Sequence, residues 1–252
     1  MTEEDWTPLH GGFVNTVSQR GEVVRRRKSV ASPAVRQVLT HLKARDLPFT
    51  PRLLGDDAEH EYLTYLPGTP VFRPWPEAVM DSVWLDDLGR WLQAYHHAVR
   101  GFRVENAPFL WGPAEPATDM IVTHGDLGPW NLLHTGGRLA GVIDWDLARY
   151  GSPLDDVAEL ALEAVAMHGR YAETVGMGIT QERLVARLQI FCDAYGLPEE
   201  TVRQHLPVYL QLIIDDVRQL AAKGTEPFLS FARGRMIETL EADLEYCHQT
   251  WL

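Results

Sequence analysis

Polar residues between positions 124 and 144 have the types and spacing needed for phosphoryl transfer. Residues 124–131 read His-Gly-Asp-Leu-Gly-Pro-Trp-Asn, and Asp144 follows thirteen residues after Asn131. The reaction requires a carboxylate that orients and deprotonates an attacking hydroxyl, and hard oxygen ligands that hold Mg²⁺ against a triphosphate. Asp126 can supply the first function, and Asn131 and Asp144 can supply the second.

The surrounding pattern favours a catalytic site over a simple turn. An Asp beside Gly often bonds its own backbone in a turn, so His-Gly-Asp alone says little. Here three short apolar runs predict strands that hold the polar residues on rigid ends: 120–122, 131–134 and 139–143. We therefore interpret Asp126 as catalytic and His124 as a hydrogen-bonding scaffold for the loop. Asp146 is interpreted as a helix cap or as a support for the metal ligands.

The order H-G-D-x-x-x-x-N, then I-D-W, resembles the catalytic and metal loops of the aminoglycoside phosphotransferase (APH) family, relatives of the protein kinases. Gly125 in place of the kinase Arg points to the small-molecule branch. Residues 151–158 are similar to that family's G-D-P-x-x-D-L-A segment, in which the acid is mainly structural. The resemblance extends over most of the chain. It implies an α+β protein-kinase-like fold with a small β-rich lobe, residues 1–66, and a larger, mainly helical lobe, residues 67–252.

Periodicity along the chain is typical of such a division. The first third predicts a hairpin, one helix that begins at Ser32-Pro33, and two further short strands: 11–17, 21–25, 52–54 and 61–66 are the four runs. Later segments are mainly amphipathic and predict helices: 84–99, 154–167, 181–195, 199–222 and 228–249. His96 and His97 lie on the first of these helices, where we interpret them as structural.

A nucleotide site is expected in the N-terminal part. A glycine-rich turn could close over phosphates with its backbone N–H groups. The candidate residues of this turn are Gly12, Phe13, Asn15 and Thr16. The alternative is that the turn is an ordinary hairpin. The resemblance implies that Arg25, on the same strand face as Val23, pairs with the α- and β-phosphates. The alternative is that Arg25 belongs to a solvated basic strand end.

The connector between the lobes is the expected position of the base. The resemblance implies that adenine bonds the main chain near Thr64, Tyr65 and Leu66. Protein kinases pair the phosphate-binding cation with a Glu on the following helix, but residues 31–45 contain no acid. Gln37 or His41 could replace it by hydrogen bonding.

Composition narrows the classes of partner. The formal net charge is −12, which argues against general nucleic-acid binding. No window approaches 18 unbroken apolar residues, and the acidic start lacks the pattern of a signal peptide, so we expect no membrane association and a cytoplasmic location. The two cysteines form no C-x-x-C pair. Monomer and homodimer both remain open.

The functional hypothesis is a kinase that moves the γ-phosphoryl of ATP or GTP, with Mg²⁺, to the hydroxyl of a small molecule. The resemblance implies an aminoglycoside or another amino alcohol, and the acidic body of the chain weakly favours a cation. Trp130 could contact this substrate. One alternative is a catalytically impaired nucleotide-binding protein, favoured by the missing helix acid. A metal-dependent hydrolase is a second alternative, which Asn131 fits poorly.

Overall fold

The computed structural model describes residues 6–9, 17–169 and 179–252. Its N-terminal part is a five-stranded antiparallel sheet in the order β1-β2-β3-β5-β4. These strands are β1 Thr7–Pro8, β2 Val17–Arg20, β3 Val23–Arg27, β4 Leu53–Asp56 and β5 His60–Thr64. The predicted strand 11–17 therefore starts only at Val17 within the described residues, and the hairpin turn lies at residues 21–22.

Helix α1, Ser32–Ala44, connects β3 to β4. Pro33 lies in its first turn, where its missing N–H and fixed φ are tolerated. Its buried face includes Val35, Val38, Leu39 and Leu42, as the 3.6-residue spacing predicts. The helix thus packs an apolar stripe inward and leaves its cationic residues near solvent.

The rest of the chain is mainly helical. Its helices are α2 Ser82–Val99, α3 Pro153–Glu163, α4 Gln181–Tyr195, α5 Glu199–Ala222, α6 Phe228–Arg233 and α7 Met236–Thr250. The last two replace the single helix predicted over 228–249, because the helical conformation is interrupted at Gly234. The core is built around bulky, fully buried side chains: Trp84, Tyr95, Trp145 and Phe191.

Two small antiparallel sheets carry the polar segments. One is formed by β6 Thr69–Pro70, β8 Leu132–Thr135 and β9 Arg138–Val142, and the other by β7 Ile121–Thr123 and β10 Arg149–Gly151. Because β6 pairs with β8, the chain joins the C-terminal part soon after β5. The lobe boundary at residue 66 stays a prediction. In the described ranges, no helix is long and apolar enough to cross a bilayer.

Candidate active site

The segment predicted to be catalytic forms the loop between β7 and β8 and ends in a short 3₁₀ turn, Pro129–Asn131. Gly125 adopts a left-handed conformation with φ of +74°. A Cβ atom at this position would lie 2.3 Å from the carbonyl oxygen of Leu147. Any side chain here would clash with the backbone, which gives a local reason for the glycine between His124 and Asp126.

The half-buried carboxylate of Asp126 is held on both oxygens. Nδ2 of Asn131 donates to Oδ2 at 2.7 Å and to the main-chain oxygen of Asp126 at 2.9 Å. Nε1 of Trp130 donates to Oδ1 at 3.3 Å. Burial, together with the nearby Asp144 carboxylate, raises the pKa of Asp126 to about 7. An oriented carboxylate whose pKa lies near neutrality can act as a general base.

Trp130 folds back over its own loop. A Cβ atom on Gly128 would lie 2.1 Å from Cζ2 of this indole, so the absence of a side chain at Gly128 makes room for the ring. Trp130 is 36% exposed and lines the cleft between the two parts of the molecule. The indole is therefore placed where it can contact both Asp126 and a bound molecule.

His124 is a buried scaffold, as the sequence predicted. Its Nε2 lies 3.2 Å from the carbonyl oxygen of Ile143, and its Nδ1 accepts the main-chain N–H of Asp126 at 3.3 Å. Burial lowers the pKa of His124 to about 4, which keeps the ring neutral near pH 7. Asp156 of α3 accepts hydrogen bonds from the main-chain N–H groups of His124, at 3.1 Å, and Gly125, at 3.3 Å. These bonds attach the main chain of the loop to α3.

Asp156 is in turn held by His96, whose Nε2 lies 3.1 Å from Oδ2. The other ring nitrogen of His96 lies 2.8 Å from the hydroxyl oxygen of Tyr195. Asp155 closes the capping box of α3 with Ser152. The motif at residues 151–158 and His96 therefore support the loop without entering the cleft, in agreement with their structural interpretation.

Asp144 lines the cleft, and the next residue, Trp145, is buried in the core. Trp145 is 1% exposed and packs against His124 with ring centroids 4.4 Å apart. Asp144 has φ of +61°, a conformation unfavourable for a side-chain-bearing residue and frequent at functional sites. Its carboxylate is accessible from the cleft, but the surrounding protein limits its solvation, and this together with Asp146 raises its pKa. The main chain links the two predicted metal ligands, because the N–H of Ile143 donates to the oxygen of Asn131.

The cleft has a volume of about 210 Å³. Apolar side chains from both parts of the molecule line it, among them Val24, Leu63, Leu133 and Ile143. Thr64, Tyr65 and Leu66 also line it, as expected for a connector. The N–H groups of Thr64 and Tyr65 already donate to the oxygens of Arg52 and Glu22. Main-chain bonds to a base would therefore use other groups of this segment.

The β3 residue that faces the cleft is Arg26, and the predicted orientation of Arg25 is wrong. Arg26 is 7% exposed and lines the cleft with Val24. Nε of Arg25 instead donates to Oγ of Ser18 at 3.3 Å, and its guanidinium lies 4.7 Å from the ring centroid of Trp6. Successive residues of a strand point to opposite faces, so Arg25 cannot share the cleft with Arg26.

Arg26 is bound by two acids, neither of which belongs to α1. Its Nε donates to Oε2 of Glu61 at 3.1 Å, and its Nη1 donates to Oδ1 of Asp146 at 2.6 Å. Nη2 lies 3.0 Å from the same oxygen of Glu61. The buried Nη2 nevertheless donates no hydrogen bond of good geometry to any residue that the structure describes. Asp146 thus supports the site through Arg26.

Gln37 and His41 do not replace the missing helix acid. The side-chain amide of Gln37 exchanges two hydrogen bonds with the main chain of Glu105, at 2.8 and 2.9 Å. Nε2 of His41 lies 2.8 Å from the carbonyl oxygen of Ala98. Both residues therefore attach α1 to the end of α2 and the segment after it, and the expectation that they meet the phosphate-binding cation is wrong.

The sequence reasoning missed Arg26 and Glu61. The available signal was an acid at position 61 in a run whose neighbours at positions 62 to 66 are mostly apolar, since such an acid needs a buried cation.

The candidate loop residues Gly12, Phe13, Asn15 and Thr16 lie outside the described residues, so their role stays a prediction. The flanking residues Leu9 and Val17 line the cleft.

Comparison with known proteins identifies the family. Residues 110–195 match the model described as the phosphotransferase enzyme family, APH. Trifolitoxin immunity protein from Rhizobium leguminosarum bv. trifolii is 31% identical over 202 residues, which span 75% of this chain and 73% of that protein. The chain belongs to the APH phosphotransferase family.

Solved structures of APH enzymes share the fold. A GDP complex of a mutant aminoglycoside 2'-phosphotransferase IIIa superposes with a TM-score of 0.64 at 16% identity and covers 99% of this chain and 93% of that chain. Macrolide 2'-phosphotransferase from Brachybacterium faecium gives a TM-score of 0.56 at 17% identity and covers 95% and 93%. The predicted α+β, protein-kinase-like fold is thus confirmed.

Proposed function

We propose that this APH-family protein transfers the γ-phosphoryl group of ATP or GTP to a hydroxyl group of a small molecule, with Mg²⁺. The observation that carries the proposal is that Asn131 and Asp144 line one cleft with Arg26, and that Asn131 also bonds the carboxylate of Asp126. Carboxylates, an amide and a guanidinium at a single cleft are the groups that phosphoryl transfer requires.

The residues present fit a divalent cation. The negative charge of Asp144 makes ionisation of Asp126 less favourable, which contributes to the raised pKa of Asp126. A cation between the two carboxylates would therefore be stabilised. Nδ2 of Asn131 faces Asp126, which directs its Oδ1 away from that carboxylate and leaves a hard oxygen ligand. Asp144 and Asn131 would hold Mg²⁺, and phosphate oxygens would complete its shell. Bound there, Mg²⁺ would neutralise charge on the phosphates.

The protein residues contribute position and one proton transfer. Arg26, which lines the cleft and is held there by Glu61 and Asp146, would orient the phosphates. Asn131 and Trp130 orient Asp126, and Asp126 would accept the proton of the attacking hydroxyl as the oxygen–phosphorus bond forms. The apolar walls at Val24 and Leu133 would enclose the base.

The acceptor that we propose is a cationic alcohol, such as an aminoglycoside or another amino alcohol. Glu163 of α3 lies close enough to Asp126 to contribute to the raised pKa of Asp126, so a further acid adds negative charge near it. A positively charged acceptor would offset this charge. The names of the immunity protein and of the antibiotic phosphotransferases above favour an acceptor that is toxic to cells.

The alternative, a nucleotide-binding protein without turnover, was favoured by the missing helix acid; Glu61 offers Arg26 a carboxylate from β5 instead. We place the reaction in the cytoplasm, since the free cysteines Cys192 and Cys247 suit a reducing compartment.

The test is ADP or GDP release, with each nucleotide and with or without Mg²⁺, across aminoglycosides, macrolides, choline and neutral sugars. Turnover that requires an acceptor and Mg²⁺, and that is lost in Asp126→Asn, is expected. Nucleotide binding without acceptor-dependent release for any alcohol would favour the alternative.

A further inference from the structure

Glu61 is fully buried and pairs with the cation that faces the cleft. We infer that Glu61 positions Arg26 for the nucleotide phosphates, in the role that a helix acid has in protein kinases. The inference rests on the function proposed above and adds a positioning residue on a strand, where the family resemblance predicts none.

The pairing is built into the strand register. Arg26 and Glu61 are directly opposite partners in the antiparallel pair β3–β5. Directly opposite residues of opposite charge on one face of a sheet stabilise each other. Two guanidinium nitrogens, Nε at 3.1 Å and Nη2 at 3.0 Å, contact Oε2 of Glu61. Both members of the ion pair therefore belong to the sheet.

Helix α1 presents a cation to Glu61, whereas the corresponding helix of a protein kinase supplies an acid. Its sequence carries no acid, and the α1 side chain that lines the cleft is the hydrocarbon Leu39. The helix instead offers Arg36, whose Nε lies 3.9 Å from Oε1 of Glu61. Oγ of Ser32 donates to Oε2 of Glu61 at 3.2 Å. Glu61 thus accepts contacts from the sheet and from the first half of α1.

Loss of Glu61 would change where the Arg26 guanidinium points. Asp146 would remain as its carboxylate partner among the contacts described above, at 2.6 Å from Nη1. Asp146 lies two residues from the predicted metal ligand Asp144 on the opposite side of the cleft. The guanidinium would then be drawn toward Asp146 and away from the position that its contacts with Glu61 give it at the cleft.

The experiment is a double-mutant cycle on nucleotide affinity. Dissociation constants of Mg²⁺-ATP are measured by calorimetry for wild type, Glu61→Gln, Arg26→Gln and the double variant, each checked for folding by circular dichroism. We expect Glu61→Gln to weaken binding about tenfold or more, and to add little once Arg26 is already Gln. Glu59→Gln is the matched control, because this exposed acid beside β5 loses the same charge without touching Arg26.

Ser32→Ala keeps the test decisive if Glu61→Gln does not fold, because it leaves the ion pair intact and removes a hydroxyl that donates to Glu61 and accepts the main-chain N–H of Ser29. A smaller loss of affinity is then expected, and it should vanish in the Arg26→Gln background. Losses that add fully, or that equal the loss in Glu59→Gln, overturn the inference while wild type still binds nucleotide. Wild type that binds neither ATP nor GTP overturns the proposed function itself.

Discussion

At the scale of single residues, the site depends on the electrostatic interaction between Asp126 and Asp144. Each carboxylate makes ionisation of the other less favourable, and Asn131 and Trp130 stabilise the charged form of Asp126 through hydrogen bonds. Their spacing in the sequence was sufficient to predict that the two acids lie near each other. Their partners lie on segments distant in sequence or depend on a loop conformation, and the motif does not encode those contacts.

Asp126→Asn should abolish phosphoryl transfer and leave nucleotide affinity nearly unchanged. Asn cannot accept the proton, whereas the triphosphate is held by other residues. Turnover should fall about a hundredfold or more. The measurements are steady-state product release and calorimetric titration of Mg²⁺-ATP. Near-normal turnover in the folded variant would refute the assigned role.

Asp144→Ala should remove the Mg²⁺ dependence of nucleotide binding, because a methyl group cannot replace a hard oxygen ligand. Asn131→Ala should have a milder effect on binding but should also lower turnover, since Asn131 holds Asp126. ATP is titrated into each variant with and without Mg²⁺. Unchanged Mg²⁺ dependence in Asp144→Ala would contradict the ligand assignment.

At the scale of secondary structure, the sequence did not show which residues of strand β3 face the cleft. Residues 23–27 read Val-Val-Arg-Arg-Arg, so the apolar alternation that fixes which face is buried is absent. The strand itself was predicted, but its inward face was assigned one residue too early. Helix α1 was predicted correctly because its apolar residues recur at helical spacing. The break at Gly234 was overlooked although glycine is a known interruption.

The strand faces predict different roles for adjacent arginines. Arg26→Gln should weaken Mg²⁺-ATP binding about tenfold or more, because a buried bond donor to the phosphates is lost. Arg25→Gln should change affinity only slightly, and high salt should erase that change, since Arg25 faces Ser18 and Trp6 near solvent. Dissociation constants at low and high salt decide between them. Equal, salt-sensitive losses in both variants would argue against a phosphate role for Arg26.

Gln37→Ala should lower stability without changing nucleotide affinity. The variant loses two hydrogen bonds to the main chain of Glu105, together worth about 1–3 kcal/mol. Thr40→Ala, on the exposed face of the same helix, is the control. Urea unfolding and ATP titration provide the two measurements. A clear loss of ATP affinity would instead indicate that Gln37 supports the phosphate site.

At the scale of the whole molecule, the order of the parts followed from the sequence. Motif spacing and the family resemblance together predicted a sheet part, a cleft and a helical part in that order. The contacts between them could not be read in advance. Arg26 reaches Asp146 across 120 residues of chain, and the sequence pattern carries no information on such a distant pairing.

The two cysteines should report global unfolding of the helical part. Cys192 in α4 and Cys247 in α7 belong to one buried core, and burial raises the pKa of each thiol to about 12. At pH 7 almost no thiolate is present, and the reactive form increases only as pH approaches that value. An aromatic disulfide reagent should therefore label both thiols only in denaturant. Fast labelling of either thiol in the native protein would contradict this burial.

The register that places Arg26 opposite Glu61 also has a consequence for regulation. Protein kinases can be switched off when their helix moves outward, because one half of the phosphate-orienting ion pair leaves with it. Here both halves belong to neighbouring strands, so an outward movement of α1 would remove the Ser32 bond to Glu61 but would carry away neither member of the ion pair. Such a protein would be constitutively ready to act.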